Sequence, residues 1–264
     1  MDLQLKDHHI LITGGSKGIG LACAQAFLLE GARVTLVSRD VDNLSHAQAQ
    51  LRQAFPHVQV NTVAADLRNA SQAEQAVAQA QAQGGDIDVL INSAGAAKRT
   101  PPNELTAQSW HDAMDAKYFS TIHVLDPVTR AMAARGRGAV VNIIGAGGKV
   151  ANPIHMPGGA ANAALMLVTA GMAAAYGPQG VRVNAINPGQ TLTDRLKEGM
   201  AAEARMKGIT AEQAQQQATA RIPLGRMAQP EEIANAAVFL ASGKASYISG
   251  VVLTMDGVVN PIVV

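Results

Sequence analysis

Short apolar runs alternate with longer stretches of helical periodicity along the whole chain. Runs that are β-branched and almost continuously apolar are typical of strands covered on both faces of a parallel sheet. Their regular alternation with helices predicts a doubly wound parallel α/β sheet with helices on both faces. We predict seven strands, over residues 9–15, 33–39, 58–66, 88–95, 138–145, 181–189 and 250–257.

The segments between the predicted strands are rich in Ala and Gln and keep a helical period, for example over 69–83 and 230–242. No linker interrupts their spacing, so we predict a single domain over 1–264.

Two segments depart from the alternation of strands and helices. Residues 98–106 contain two prolines and predict a loop near the carboxyl edge of the sheet. Residues 191–217 are long and polar and predict a mobile helical flap over the edge where such sheets bind ligands.

Composition and charge narrow the function classes. The net charge of +1 provides no broad field for nucleic acid or an anionic membrane. The single cysteine, Cys23, rules out an internal disulfide and fits a reducing compartment. The N-terminal residues carry charges where a signal peptide needs an apolar run, and no uninterrupted apolar segment is long enough to span a bilayer. We therefore expect a cytoplasmic protein that acts on a small molecule, without nucleic acid or membrane as partner.

A glycine-rich turn joins the first predicted strand to the first helix. The sequence TGGSKGIG places Gly14, Gly18 and Gly20 in a G-x-x-x-G-x-G spacing. Glycine permits a tight turn there and lets backbone N–H groups approach a pyrophosphate at the positive end of the helix. Because a strand precedes this turn and a helix follows it, the motif indicates dinucleotide binding.

Four further motifs accompany the glycine turn: NSAG at 92–95, NPG at 187–189, PLGRMAQPEEIANAAVFLAS at 223–242 and ASYISGVVLTMDG at 245–257. With these motifs, the chain resembles the short-chain dehydrogenase/reductase family over nearly all of its length. The resemblance implies a single Rossmann-type domain that binds NAD(P).

The end of the second strand indicates which dinucleotide binds. An NAD-preferring site has a carboxylate there for the ribose hydroxyls, whereas the matching position here is Ser38, followed by Arg39. With Lys17 in the glycine turn, these residues favour NADP(H) over NAD(H), because cations attract a 2′-phosphate. The resemblance implies a cofactor site made of Gly14, Ser16, Lys17, Gly18, Ile19, Gly20, Ser38, Arg39, Asp66, Leu67, Asn92, Ala94, Gly95, Asn162, Pro188, Gly189, Thr191 and Thr193.

The residues that resemble the family's catalytic positions are all replaced. Reductases of this family share an Asn, a Ser and a Tyr four residues before a Lys. The matching positions are Lys117, Gly145, Gly158 and Asn162. Glycine cannot donate a proton, and a positioned general acid contributes about 10²–10⁴-fold in rate. Ordinary carbonyl reduction by the usual residues is therefore not expected.

Two polar side chains are candidates for the missing chemistry. His155 lies seven residues before Asn162, a spacing that resembles the Tyr and Lys of enoyl reductases in the same superfamily. Imidazole exchanges protons near neutral pH, although a loop histidine that caps backbone carbonyls is the alternative. Lys117 either stabilises an oxyanion or pairs with an anionic substrate, or extends to solvent. The glycines at 145–148 and 158–159 either admit a bulkier ligand, form an anion-binding nest or form a neutral loop.

Three functions remain open at this point. The first is an NADP(H)-dependent oxidoreductase with a non-standard active site, acting on a carbonyl or an activated C=C bond. The second is a non-redox lyase or isomerase on the same fold, and the third is a dinucleotide-binding sensor or pseudoenzyme. The Ala- and Gly-rich helix over 158–176 matches the one that joins subunits in this family, which implies a homodimer or homotetramer. The residues NPIVV at 260–264 are expected at a subunit contact, with packing inside their own subunit as the alternative.

Overall fold

A seven-stranded parallel sheet forms the centre of the molecule. The computed structural model describes residues 2–261, except the side chains at positions 198, 199, 202, 203 and 206. The strands lie in the order β3-β2-β1-β4-β5-β6-β7, which confirms the predicted doubly wound sheet. They are β1 (His9–Thr13), β2 (Arg33–Ser38), β3 (Val60–Ala64), β4 (Val89–Asn92), β5 (Gly138–Ile143), β6 (Val181–Pro188) and β7 (Val252–Met255).

The helices follow the strands as the alternation predicts. Several begin at a side chain that accepts a hydrogen bond from the first turn, such as Asp40 and Asn69, which supply partners that the helix lacks there. The α-helices are α1 (Gly18–Leu29), α2 (Val41–Ala54), α3 (Ala70–Gly84), α4 (Ala107–Ala113), α5 (Ser120–Ala134), α6 (Met156–Tyr176), α7 (Asp194–Lys207), α8 (Ala211–Thr219) and α9 (Pro230–Ala241).

Both faces of the sheet are covered. Side chains of β1 alternate between the two layers: Ile10 and Ile12 pack with α1, α2 and α9, whereas Leu11 packs with α3 and α5 on the other face. Cys23 is fully buried in the first layer, and burial raises the pKa of its thiol to about 12. The cysteine is therefore a packing residue, as its apolar surroundings in the sequence predict.

The strand order reverses between β1 and β4, whose neighbours β2 and β5 lie on opposite sides. The loops after β1 and β4 therefore diverge and leave a crevice at the carboxyl edge of the sheet. Ligands of doubly wound folds bind at such a position. The crevice places the glycine turn after β1 opposite the loop after β4.

The predicted flap at 191–217 consists of two helices, α7 and α8, rather than one segment. They have a small core of their own, in which Met200 packs against Ile222 and Met227. The predicted loop at 98–106 contains one short 3₁₀ turn, Pro102–Glu104. Of the apolar C-terminal residues, 262–264 lie outside the described residues, so their predicted place at a subunit contact stays a prediction.

One expectation about apolar segments is wrong. Among the described residues, the helical stretch Pro153–Gln179 is long and apolar enough to cross a bilayer by length and composition alone. In the fold, its buried residues, including Leu165 and Thr169, face the sheet, and α6 packs against β6. The stretch is thus a helix of the layer that also contains α3 and α5, and its buried residues serve packing between helix and sheet.

Candidate active site

The crevice forms a cavity of about 790 Å³. The loops after β1, β2, β3 and β4 line one part of it, and residues between Glu104 and Ser120 line another. From beyond β5, it is lined by Pro157 at the start of α6 and Arg195 at the start of α7. The cavity therefore runs from the glycine turn to the start of α6, whereas His155, Lys117 and Asn162 lie behind its lining residues.

The glycines of the turn after β1 are required by close packing. Gly14 has φ +66°, and a Cβ built on it would lie 2.8 Å from the carbonyl oxygen of Ser93. A Cβ on Gly20 would collide with the carbonyl oxygen of Gly14, and one on Gly18 would lie 3.2 Å from Thr193 Cγ2. Since α1 begins at Gly18 without a side-chain cap, its first N–H groups are available to an anion.

Cations surround the end of the cavity next to β2. Ser38 Oγ accepts a hydrogen bond from Ser16 Oγ at 3.0 Å. Lys17 and Arg39 are exposed and line the cavity. This end therefore contains a neutral side chain at the tip of β2 and two cations beside it, as the sequence predicts for a 2′-phosphate site.

Arg68 is a third cation here that the sequence reasoning missed. Its Nε donates to both carboxylate oxygens of Asp66 at 3.0 Å. This hydrogen bonding, with a smaller effect from the charge of Arg39, holds the pKa of the Asp66 carboxyl below its usual value. The sequence does contain a signal for this residue: an arginine two residues after Asp66, which ends the third predicted strand. Because Arg68 pairs with Asp66, that carboxylate repels a phosphate less.

The side chain of Asn92 is committed to the sheet. It is buried, and its Nδ2 donates to Asn142 Oδ1 at 2.9 Å. Its Oδ1 accepts from Thr13 Oγ1, which also accepts the N–H groups of residues 93 and 94. Asn92 thus fixes the loop after β4, whereas Ala94 and Gly95, the other predicted ribose contacts, line the cavity.

The loop after β6 packs onto its neighbours. The N–H of Gly189 donates to the carbonyl of Met255 at 2.9 Å, and Thr191 is buried in a bridge to Ala228. Thr193 caps α7 by accepting from the N–H of Leu196 at 3.2 Å. From this region the cavity is lined by Arg195, and not by the predicted residues Pro188, Gly189, Thr191 and Thr193.

The imidazole of His155 occupies the space that a side chain at position 158 would need. His155 ends the 3₁₀ turn Pro153–His155 directly before α6. A Cβ built on Gly158 would lie 2.6 Å from His155 Nε2 and 2.8 Å from Ala97 Cβ. A Cβ on Gly147 would lie 3.2 Å from the same ring. The ring therefore lies against the backbone at the position where the family resemblance places the proton donor's residue.

Asn162 and His155 each have a buried polar atom without a partner in the described part of the chain. Asn162 Nδ2 donates to the carbonyl of Gly145 at 3.3 Å, but its Oδ1 has no partner, and neither does Nδ1 of His155. Such orphans are rare in folded proteins, because an unpaired buried polar group costs about 1–3 kcal/mol. They fit a bound molecule that donates to Asn162 and exchanges hydrogen bonds with His155.

The glycines after β5 and at the start of α6 bring backbones together. A Cβ on Gly148 would lie 2.7 Å from the nitrogen of Ala163, and one on Gly159 would lie 2.8 Å from the carbonyl oxygen of Gly147. The expectation that these glycines admit a bulkier ligand is therefore wrong at positions 147, 148, 158 and 159, where neighbouring atoms fill the space.

Lys117 lies in a π-helical turn, Met114–Phe119, between α4 and α5. A Cβ built on Gly95 would lie 3.3 Å from the Cα of Lys117, so only a glycine at position 95 leaves space for this lysine. Burial, with a smaller effect from the charge of Arg195, lowers the pKa of the Lys117 ammonium to about 8. The lysine is therefore packed beside the loop after β4 and is partly exposed, so its role in the site stays a prediction.

Burial also lowers the pKa of the His155 imidazole below its usual value, so the ring is neutral at pH 7. The charges that add to this effect are all positive and belong to Lys117, Arg99 and Arg195. A neutral imidazole with an unpaired nitrogen beside an ammonium group can accept a proton from a hydroxyl while the ammonium stabilises the oxygen.

Comparison with known proteins supports the family resemblance. Residues 14–260 match the family model described as enoyl-(acyl carrier protein) reductase. The chain is 34% identical to gluconate 5-dehydrogenase of Gluconobacter oxydans, over 96% of this chain and 95% of the relative.

The chain also matches solved structures over nearly its full length. L-Sorbose reductase from Gluconobacter frateurii, in complex with NADPH and L-sorbose, is 30% identical with a TM-score of 0.94 and full coverage of both chains. An NADPH-bound short-chain oxidoreductase from Pseudomonas aeruginosa PAO1, described as containing an atypical catalytic center, is 29% identical. Its TM-score is 0.89, over 98% of this chain and 100% of that one.

Proposed function

Because the chain belongs to the short-chain dehydrogenase/reductase family, we propose that it is an NADP(H)-dependent oxidoreductase in which His155 replaces the usual proton donor. The observation that carries this proposal is the position of the imidazole, in the space where a side chain at Gly158 would lie. Full-length similarity to dehydrogenases and reductases supports the redox assignment.

The residues at the end of the cavity next to β2 support NADP(H) rather than NAD(H). Ser38 puts no carboxylate where the ribose 2′ position would lie, Lys17 and Arg39 supply positive charge, and Arg68 neutralises Asp66. The glycine turn would hold the pyrophosphate, and Asn162 Oδ1 would accept a hydrogen bond from the nicotinamide ribose. The bound dinucleotide supplies or accepts the hydride. NADPH complexes of the two structural relatives named above agree with this choice.

In our proposal, His155 moves the proton and Lys117 stabilises charge. When an alcohol is oxidised, neutral His155 takes the hydroxyl proton as the carbon loses its hydride; in reduction the imidazolium returns that proton to the oxygen. The Lys117 ammonium lowers the energy of the negative oxygen that develops between these steps. Proton and hydride together account for the two hydrogens that separate alcohol and ketone.

The substrate that this account favours is a small polyhydroxylated ketone and its alcohol. Relatives over nearly the whole chain are named for gluconate, D-threitol and L-sorbose, which share that chemistry. An activated C=C bond is the second candidate. It is favoured by the seven-residue spacing of His155 and Asn162 and by the description of the matching family model. There, Lys117 would stabilise the enolate.

Consumption of NADPH tests the proposal directly. We expect turnover with L-sorbose, another ketose or the keto acid 5-keto-D-gluconate, in a panel that also contains enones such as cyclohex-2-enone. The nicotinamide absorbance distinguishes the alternatives: conversion of substrate without a change in that band would indicate a lyase or isomerase. Tight NADPH binding without turnover of any compound would indicate a sensor or pseudoenzyme.

We further propose that the chain works as a homodimer or homotetramer in the cytoplasm. The outer face of α6 supports this, because Leu167 is exposed on it and Gly171 has open space around it. An apolar side chain beside a glycine lets a second backbone approach closely. Light scattering of the purified protein would measure the assembly, and Leu167→Glu should shift it towards the monomer.

A further inference from the structure

The carboxylate of Asp66 lies next to the end of the cavity that would hold the 2′-phosphate. Ala64, the last residue of β3, is the register partner of Ser38, and the N–H of Ala65 donates to the Ser38 carbonyl at 3.0 Å. Asp66 follows directly and lines the cavity together with Ser38 and Arg39. The charge of Arg39 also acts on the Asp66 carboxyl. A negative group therefore stands beside the residues proposed to receive a negative ligand.

Arg68 is fixed against this carboxylate by two kinds of hydrogen bond. Its backbone N–H donates to Asp66 Oδ1 at 3.1 Å, which closes a turn after β3. Its guanidinium Nε donates to both carboxylate oxygens at 3.0 Å, and Nη2 pairs with Oδ2. Because the two residues are so close in the chain, the pair needs no ligand to form. Arg68 is half exposed, yet its guanidinium has a defined place at the Asp66 carboxylate.

The other charges of the cavity do not take the place of Arg68. The charged lining residues are the cations Lys17, Arg39, Arg68, Lys98 and Arg195 and the carboxylates Asp66, Glu104 and Asp112. Of these, Lys98, Glu104 and Arg195 belong to the loop after β4, the 3₁₀ turn that follows it and the start of α7. The charges of Asp112 and Asp115 act on Arg68, as that of Asp66 does. Loss of Arg68 would therefore remove a cation from among three carboxylates.

A bare carboxylate at position 66 would act against NADPH far more than against NADH. The 2′-phosphate carries a charge of about −1.5 to −2 at pH 7, whereas NADH has a neutral hydroxyl there, and nearby like charges repel. Hydrogen bonding from Arg68 holds the pKa of the Asp66 carboxyl below its usual value. An ordinary aspartate is also ionised at pH 7. Removal of Arg68 would thus leave the negative charge of Asp66 in place and unpaired.

We propose that Arg68 determines the preference for NADP(H) by neutralising Asp66, without binding the 2′-phosphate itself. This inference rests on the proposed function, because it names a further residue that selects the dinucleotide. Arg39 and Lys17 would contact the phosphate, whereas Arg68 acts through the carboxylate. Direct binding of phosphate by Nε and Nη2 of Arg68 would require the charge-assisted pair with Asp66 to open.

The ratio of the dissociation constants of NADH and NADPH, measured by fluorescence titration, tests this inference. In the unmodified protein NADPH should bind more tightly. Arg68→Gln should reduce that preference about tenfold, because an unpaired carboxylate then repels the 2′-phosphate. Arg68→Lys should restore part of it. The ratio is the measured quantity, since contacts with the adenine and the nicotinamide are common to both dinucleotides.

The decisive comparison makes the same substitution in a protein without the carboxylate. Asp66→Asn removes the charge and keeps the oxygen that accepts the N–H of Arg68, so the turn should remain. In the double variant Asp66→Asn/Arg68→Gln, the preference should lie within about twofold of that in Asp66→Asn alone, since the interacting partner is gone. Arg130→Gln is the matched control. It removes an exposed arginine that pairs with Asp126 at 2.8 Å and does not line the cavity, and it should leave the ratio unchanged.

Two results would overturn the inference. If Arg68→Gln keeps the full preference for NADPH, the pair with Asp66 has no part in selecting the dinucleotide. If Arg68→Gln loses as much preference in the Asp66→Asn background as in the unmodified protein, the guanidinium binds the phosphate directly. Failure of the proposed redox function appears separately, as NADPH binding without turnover. Tighter binding of NADH by the unmodified protein would overturn both the cofactor choice and the role of Arg68.

Discussion

The imidazole of His155 packs directly against the α-carbon of Gly158, so that no side chain fits at position 158. A Cβ built there would lie 2.6 Å from Nε2 of His155. The glycine that replaces the expected proton donor is therefore what admits the histidine. The absence of a side chain at position 158 and the position of the His155 ring therefore depend on each other.

Gly158→Ala should displace the imidazole. The added methyl group overpacks a filled site, which typically costs about 1–3 kcal/mol, and turnover should fall with it. Thermal unfolding and NADPH oxidation measure the two effects.

Gly177→Ala is the matched control, at the end of the same helix, with helical backbone angles and open space around it. It should change stability by less than about 1 kcal/mol, the usual difference between Gly and Ala in a helix. Equal stability and turnover in Gly158→Ala and Gly177→Ala would show that the imidazole is not held as described.

The pH profile of alcohol oxidation should be bell-shaped. The reaction needs neutral His155, whose pKa is lowered, so activity should rise with pH through a limb below the ordinary value of 6.5. It also needs the Lys117 ammonium, so activity should fall above pH about 8, where that group loses its proton. In Lys117→Arg the alkaline limb should disappear from the measurable range, since guanidinium stays protonated. An unmoved limb would assign it to another group.

Arg39→Gln should weaken NADPH binding by roughly tenfold or more, the loss of a charge-assisted hydrogen bond to a phosphate. NADH has no 2′-phosphate, so its affinity should change little. Ser38→Asp should reverse the preference towards NADH by placing a carboxylate at the end of β2. Fluorescence titration measures both, and tighter binding of NADH by the unmodified protein would contradict the choice of cofactor.

His9 should make stability depend on pH. It is buried in β1, with its ring within 2.8 Å of Thr35 Oγ1 and 2.9 Å of the Gly85 carbonyl oxygen. Burial lowers the pKa of this imidazole, so below pH 6.5 the unfolded chain binds more protons than the folded one. Stability is therefore retained above that pH and decreases as the pH falls below it. His9→Gln should flatten the slope in unfolding experiments between pH 5 and 7; an unchanged slope would locate the titration elsewhere.

Local sequence signals predicted the architecture and the glycine turn. The seven strands lie within the predicted runs because each carries its own apolar pattern, and Gly14 and Gly20 reflect a turn that needs glycine within a few residues. Lys117 and His155 were singled out by their positions relative to family motifs.

Other features depend on contacts between distant residues. The side chain of Asn92 turns into the sheet because Asn142, fifty residues later, offers a partner. The close fit of Gly148 against α6 and the charge of Arg195 beside Gly95 arise only when separate loops meet. Local periodicity carries no information about such contacts.

Replacement of His155 tests the central claim most directly. In His155→Ala, the affinity for NADPH should stay unchanged, while turnover of the best ketose or enone should fall by about 10²–10⁴-fold, the usual contribution of a positioned general acid or base. Turnover equal to that of the unmodified protein, at every pH from 5 to 9, would show that the proton comes from another group and would contradict the account.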